Sequence, residues 1–298
     1  MPARRPAATL VELLVAVGLF AALFALLLPA VQRVRAAAAR LACQSHLRQV
    51  ALALHGRHDL DGRLPPGTRP NRPAEPRPAE AWHVGVLAFL EQEPLAAVVA
   101  TGGRRPGDPF PRVRPGMDAA VRLLGCPADP RTAAPADVPD ERFRVGLTSY
   151  LGNTGTSHRR PDGVLYLASR TRLTDIADGL SNTLLVGERP PSFDNRYGWW
   201  CYGVGQANTG SLDAHLGARE VNRSDRLPYV ACPRREPYRF QPGGWADPCS
   251  AFHFWSLHPG GANFALADGS VRFLPYSAAD VLPALATRAG GEAAGPPD

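Results

Sequence analysis

From Leu10 to Val31 every position is apolar or small except Glu12. At about 1.5 Å per residue, a helix of this length crosses a hydrocarbon core of about 30 Å. A cleaved secretory signal has a shorter apolar region, about 7 to 15 residues, closed by a small-x-small site. Here Arg33 and Arg35 follow instead, so the pattern predicts a membrane helix. Beyond it, Val31, Val34, Ala38 and Leu41, then Cys43, Leu47, Val50 and Leu54, recur at spacings of three and four. That periodicity defines one helical face and carries the helix to about Leu60. Pro29 lacks a backbone N–H and is expected to kink it.

The pattern then changes. Gly62 to Pro78 is rich in Pro and Arg and predicts an extended, semi-rigid spacer over 61–80. Trp82 to Val99 has helix-like apolar spacing in its first half, and Gly and Pro break the segment between Gly102 and Pro115. Val164–Ala168 and Thr183–Val186 read as strands, with a short helical turn at Thr174–Gly179 between them. Pro190 to Ser250 carries aromatic and Pro/Gly clusters without a period. Asn263 to Leu274 is the clearest local signal, two strand-like runs around Asp268-Gly269, and predicts a hairpin closed by a type I′ turn. The expected fold is α+β: a stem helix over 8–60 packed on an irregular antiparallel sheet in a head over 81–298.

Composition narrows the chemistry. All 33 basic residues are Arg and none is Lys. A phosphate loop, a pyridoxal Schiff base and a Ser-Lys dyad each need that amine and are excluded. The net charge of +6 is scattered among Asp and Glu rather than gathered in a stripe, so no nucleic-acid partner is expected. HExxH, GxSxG, CxxC and GxGxxG are absent.

Arg4-Arg5, then Thr9-Leu10-Val11-Glu12-Leu13-Leu14 and the long apolar run, resemble the N-terminus of type IV prepilins. Further on come Cys43-Gln-Ser-His-Leu-Arg-Gln, Leu64-Pro65-Pro66-Gly67, Ala81-Trp82 to Gln92, Cys126-Pro-Ala-Asp129, Asp175 to Thr183 and Val186-Gly-Glu188. Their order resembles domain of unknown function 1559, a family of prepilin-like bacterial envelope proteins ending in His, nine residues, Asp-Gly. Here that motif is His258 to Asp268-Gly269. The resemblance implies a leader over 1–7, cleaved by prepilin leader peptidase between Ala7 and Ala8, where such proteins usually carry Gly and Phe, followed by N-methylation. It also implies a single pass through the inner membrane with the head in the periplasm or outside the cell. A positive-inside count favours the opposite orientation, since Arg33, Arg35 and Arg40 follow the span.

Glu12 has two readings: a carboxylate in the first helical turn, or an assembly residue that neutralises a positive group on a neighbouring subunit. His258 and Asp268, with Asp178 or Glu188, are a candidate polar or metal cluster, and likeness to secretion pseudopilins points to calcium. Turn chemistry alone also accounts for Asp268-Gly269 and Asp178-Gly179. Five Cys in an exported domain, one on the stem and four in the head, imply disulfides. Cys43 and Cys126 lie in family-like blocks and are the first candidate pair, while Cys201, Cys232 and Cys249 can supply a second bridge with one thiol left over or paired between chains. A cytoplasmic head would instead keep the set buried and reduced, and the irregular spacing argues against zinc. Trp199, Trp200, Tyr202, Trp245 and Trp255 either line a ligand surface or fill the core. The expected function is a non-enzymatic pseudopilin-like subunit of a type II secretion or type IV pilus-like apparatus, with no catalytic residue and no required cofactor. A membrane-anchored extracytoplasmic ligand-binding protein is the alternative, and an envelope hydrolase the third reading.

Overall fold

A computed structural model describes residues 10–72, 75–101, 115–139 and 141–292. Its first element, α1 (Leu10–Asp61), has 52 residues and spans about 78 Å. The helix continues through Pro29 and stops where Gly62, at φ +69°, donates its N–H to His58 O at 2.7 Å. A positive φ costs glycine little, so it caps the helix there. The two halves of α1 meet different surroundings. Leu13, Phe20, Phe24, Leu26 and their apolar neighbours are exposed, whereas Cys43, Leu47, Val50, Ala51, Ala53 and Leu54 are buried in the head. The expected face thus meets the head from Cys43 onward, while Val31, Val34 and Leu41 stay exposed. Each of Leu47, Val50 and Leu54 contributes about 1.5–3 kcal/mol by this burial.

The expected spacer is partly structured. Leu64, Pro65, Gly67 and Thr68 are buried, and β1 (Thr68–Arg72) pairs antiparallel with β2 (Glu75–Ala81). The helix-like spacing in the first half of 82–99 corresponds to α2 (Trp82–Val86), which runs into a 3₁₀ turn; Glu91 adopts φ +59°, and α3 (Glu93–Thr101) follows. A small ladder joins β3 (Ala136–Asp137) to β4 (Arg144–Val145).

The core sheet is built from β5 (Tyr150–Gly155), β6 (Leu184–Glu188), β7 (His215–Gly217), β8 (Gly261–Leu266) and β9 (Val271–Pro275), in the order β7-β5-β6-β8-β9. It is mixed rather than wholly antiparallel, because β7 runs parallel to β5. Every residue of β5, β6 and β8 is buried, since both faces are covered. Tyr150, Val186, Ala265 and Ala267 join the cluster that holds Leu47 and Leu54 of α1. Leu151, Leu184, Phe264 and Leu266 join the opposite cluster with Tyr229, Phe240, Phe252, Phe254 and the short α4 (Leu282–Ala286). Strand side chains alternate between faces, so small residues on one side of β8 admit the helix while large ones on the other fill an aromatic core.

Two expectations are corrected. Val164–Ala168 forms no strand; it contributes only a bridge from Leu167 to Thr68. The β8–β9 hairpin exists, but its turn is not type I′: Gly269 N donates to Leu266 O at 3.0 Å, and of the loop residues 267–269 only Gly269 has positive φ, +85°. This is a three-residue loop ending in a left-handed glycine.

Candidate functional site

Four chemically active side chains converge where the stem meets the sheet. Cys43 comes from α1, Cys126 from the segment after a 3₁₀ turn at Arg122–Leu124, Glu188 from the end of β6, and His258 from the loop entering β8. Their ligand atoms lie within 4.8 Å of one another and all four residues are buried. Cys43 and Cys126 are joined in a disulfide with Cα atoms 5.2 Å apart. His258 Nε2 lies 3.5 Å from Cys126 Sγ and 3.4 Å from Glu188 Oε1.

Hydrogen bonds hold this arrangement. Asn263 donates twice to Glu188, from its backbone N–H to Oε2 at 2.6 Å and from Nδ2 to Oε1 at 3.1 Å. A carboxylate only accepts, which turns the amide oxygen of Asn263 away, and Gln44 Nε2 donates to that oxygen at 3.0 Å. Ser256 Oγ accepts from the backbone N–H of His258 at 2.9 Å and donates to Gly261 O at 2.7 Å. The Tyr150 hydroxyl approaches Cys43 O at 3.5 Å. Burial, reinforced by the charge of Glu188, pushes the Tyr150 phenol well above its ordinary range, so it stays a donor.

The candidate cluster read from the sequence therefore divides. His258 and Glu188 meet, but Asp268 does not join them: its exposed Oδ1 accepts from Ser270 N at 2.8 Å and Ser270 Oγ at 2.7 Å, closing the turn beside Gly269. Asp178 instead accepts from Gly290 N at 2.7 Å and Gly291 N at 2.9 Å, tying down the C-terminal segment. Glu12 lies on the exposed half of α1; Ala7 and Ala8 lie outside the described residues. The second disulfide is Cys232–Cys249, and Cys201 is buried with its sulfur 3.8 Å from Met117 O. Trp200, Tyr202 and Trp255 are core residues, while Trp245 is exposed under the Arg131 guanidinium at 4.7 Å, so the five aromatics do not form one platform.

Sequence reading did not find Asn263 and Gln44, whose roles arise only from the packing of α1 on β8. It also missed a second buried cluster. There Glu220 accepts from His158 Nδ1 at 2.5 Å, Ser211 Oγ at 2.8 Å and Val221 N at 2.9 Å. Burial pushes this carboxyl up, but His158 and the other donors outweigh it and hold it below the ordinary range. His158 and Glu220 side chains are 4% and 0% exposed, which makes the cluster an internal tie.

Fold and site together define an α+β head on a helix long and apolar enough to span a membrane. The family described as Protein of unknown function (DUF1559) matches residues 32–280, and the chain belongs to that family. No curated protein and no solved structure matches it.

Proposed function

We propose that this chain is a non-enzymatic, pseudopilin-like subunit of a type II secretion or type IV pilus-like envelope apparatus. One observation carries the reading: α1 is a single helix whose first half exposes an apolar surface while its second half is clamped into the head by packing, a disulfide and the Gln44–Asn263 bond. The exposed half suits a bilayer before assembly and the corresponding helices of other subunits after it. Glu12, near the start of that half, is the assembly residue in this reading, a carboxylate that meets a positive group on a neighbouring subunit within the apolar bundle and so gives assembly a register. Under this reading the leader is cleaved between Ala7 and Ala8, the new N-terminus is methylated, and the head lies in the periplasm or outside the cell.

Expression of the full chain with and without prepilin leader peptidase tests the proposal. The expected result is a membrane-extracted protein beginning at Ala8 only when the peptidase is present, with the head digested by protease added to intact spheroplasts. A head protected until lysis contradicts it.

A second reading, an anchored ligand-binding protein, draws on a cleft of about 300 Å³ lined by Arg57, Asp61, Arg63, Arg69 and Arg170. It suits an anionic ligand, although Arg57 is already paired with Asp61 at 2.6 Å. Thermal stabilisation of the detergent-solubilised chain by phosphate or an acidic oligosaccharide, abolished in R170A, would favour this reading.

A further inference from the structure

We propose that Cys43, Cys126, His258 and Glu188 form a tetrahedral site for a thiophilic divalent cation of the zinc type when the disulfide is reduced, so that metal and disulfide are alternative clamps on one junction. The inference goes beyond the assembly reading and does not depend on it.

The donor set is the first argument. Two thiolates, an imidazole and a carboxylate are all common zinc ligands, and four protein ligands make a closed, structural site. Hard cations such as calcium take oxygen donors in larger numbers, so the sulfurs and imidazole select against them. Geometry is the second. With metal–ligand bonds of about 2.0–2.3 Å, the edges of a tetrahedron are about 3.3–3.8 Å. His258 Nε2 lies 3.4 Å from Glu188 Oε1 and 3.5 Å from Cys126 Sγ, which matches two of those edges. Opening the S–S bond frees the sulfurs to separate, and all the candidate ligand atoms already lie within 4.8 Å of one another.

The surroundings are the third argument. A disulfide needs neither an imidazole nor a carboxylate beside it, and burying Glu188 is costly without compensation. Metal ligands are usually oriented by outer hydrogen bonds, and here Asn263 holds Glu188 while Gln44 holds Asn263. The ligands come from four separate segments, so bound metal would join the stem helix to the sheet as the disulfide does.

The exchange balances with a thiol–disulfide couple as redox partner. The zinc-bound dithiolate, one oxidant disulfide and two protons give the Cys43–Cys126 bond, two thiols and free Zn²⁺. The reverse consumes two reducing thiols, forms their disulfide and releases two protons on metal binding.

The test uses the full chain in detergent, in a C232S/C249S background, reduced anaerobically with a phosphine and incubated with Zn²⁺ or Co²⁺. After desalting, about one zinc per chain is expected by elemental analysis, and Co²⁺ should give the visible bands of tetrahedral thiolate coordination. An oxidising disulfide should release the zinc as the Cys43–Cys126 peptide appears by mass mapping. H258A should weaken zinc binding at least ~10-fold, and C43S/C126S should abolish the Co²⁺ thiolate bands. A reduced chain that takes up no zinc, folded or not, overturns the proposal. So does uptake unchanged in both H258A and C43S/C126S.

Discussion

Gln44 on the stem helix donates to Asn263 in the central sheet at 3.0 Å, and the same asparagine makes two hydrogen bonds to the buried carboxylate of Glu188. The stem is therefore tied to the charge that most needs partners in this part of the core. Removing Asn263 and removing Gln44 should have unequal effects. N263A deletes a charge-assisted bond and should cost about 2–3 kcal/mol, whereas Q44A deletes a neutral one and should cost about 1 kcal/mol. Urea unfolding of both variants checks the order, and equal losses would count against the relay.

The Cys43–Cys126 disulfide closes an 83-residue separation and Cys232–Cys249 one of 17. In the chain-entropy account these contribute about 4–5 and about 3 kcal/mol. C43S should therefore destabilise the oxidised protein more than C232S. Peptide mapping without reductant should recover both pairs, and any other pairing contradicts the structure.

Gly269 sits at φ +85° with open space around the position a Cβ would take. G269V should lower head stability by about 1–2 kcal/mol through backbone strain alone, and G269N by less, because Asn tolerates the left-handed region. Similar thermal unfolding for the two variants would show that φ does not govern this turn.

Acid should loosen the head. Burial is the main cause that lowers His83 to about 3 and His215 and His253 to about 4, so the fold favours their neutral forms. Their contribution is fully present above the ordinary value of 6.5 and is lost as the pH falls from there towards 4. Asp213 opposes this: burial raises it to about 6, so between 3.8 and 6 the fold keeps a proton that the unfolded chain releases. Three histidines against one aspartate leave about two protons, hence a slope of at most about 2.7 kcal/mol per pH unit between pH 6 and 4. H83Q should roughly halve that slope, as read from urea midpoints across the range.

Local periodicity made the long helix and the β8–β9 hairpin legible in advance, since each is specified by neighbouring residues. The α+β class followed from them. The parallel pairing of β7 with β5 was not legible: His215–Gly217 is too short to carry a pattern. Apart from β7, side chains bonded to backbone replace regular ladders between Arg189 and Gly260. Asn222 Nδ2, for example, donates to both Tyr229 O and Cys232 O. Such bonds leave no period, so this stretch read only as irregular. The site was half visible. His258 and Glu188 stood out by residue type and motif, but Asp268 and Asp178 shared those marks while one closes a turn and the other holds the C-terminal segment. What unites His258 and Glu188 with Cys43 and Cys126 is the docking of α1 on the sheet, a contact between segments far apart in the chain.

The most direct test of the subunit reading is photocrosslinking in native membranes with a benzoylphenylalanine at Phe24, on the exposed apolar half of α1. The account predicts discrete crosslinked species, at multiples of the chain's mass or joined to other prepilin-like subunits, that disappear when Glu12→Leu is introduced. A chain that stays in the membrane yet crosslinks only to lipid, with or without Glu12, would contradict it.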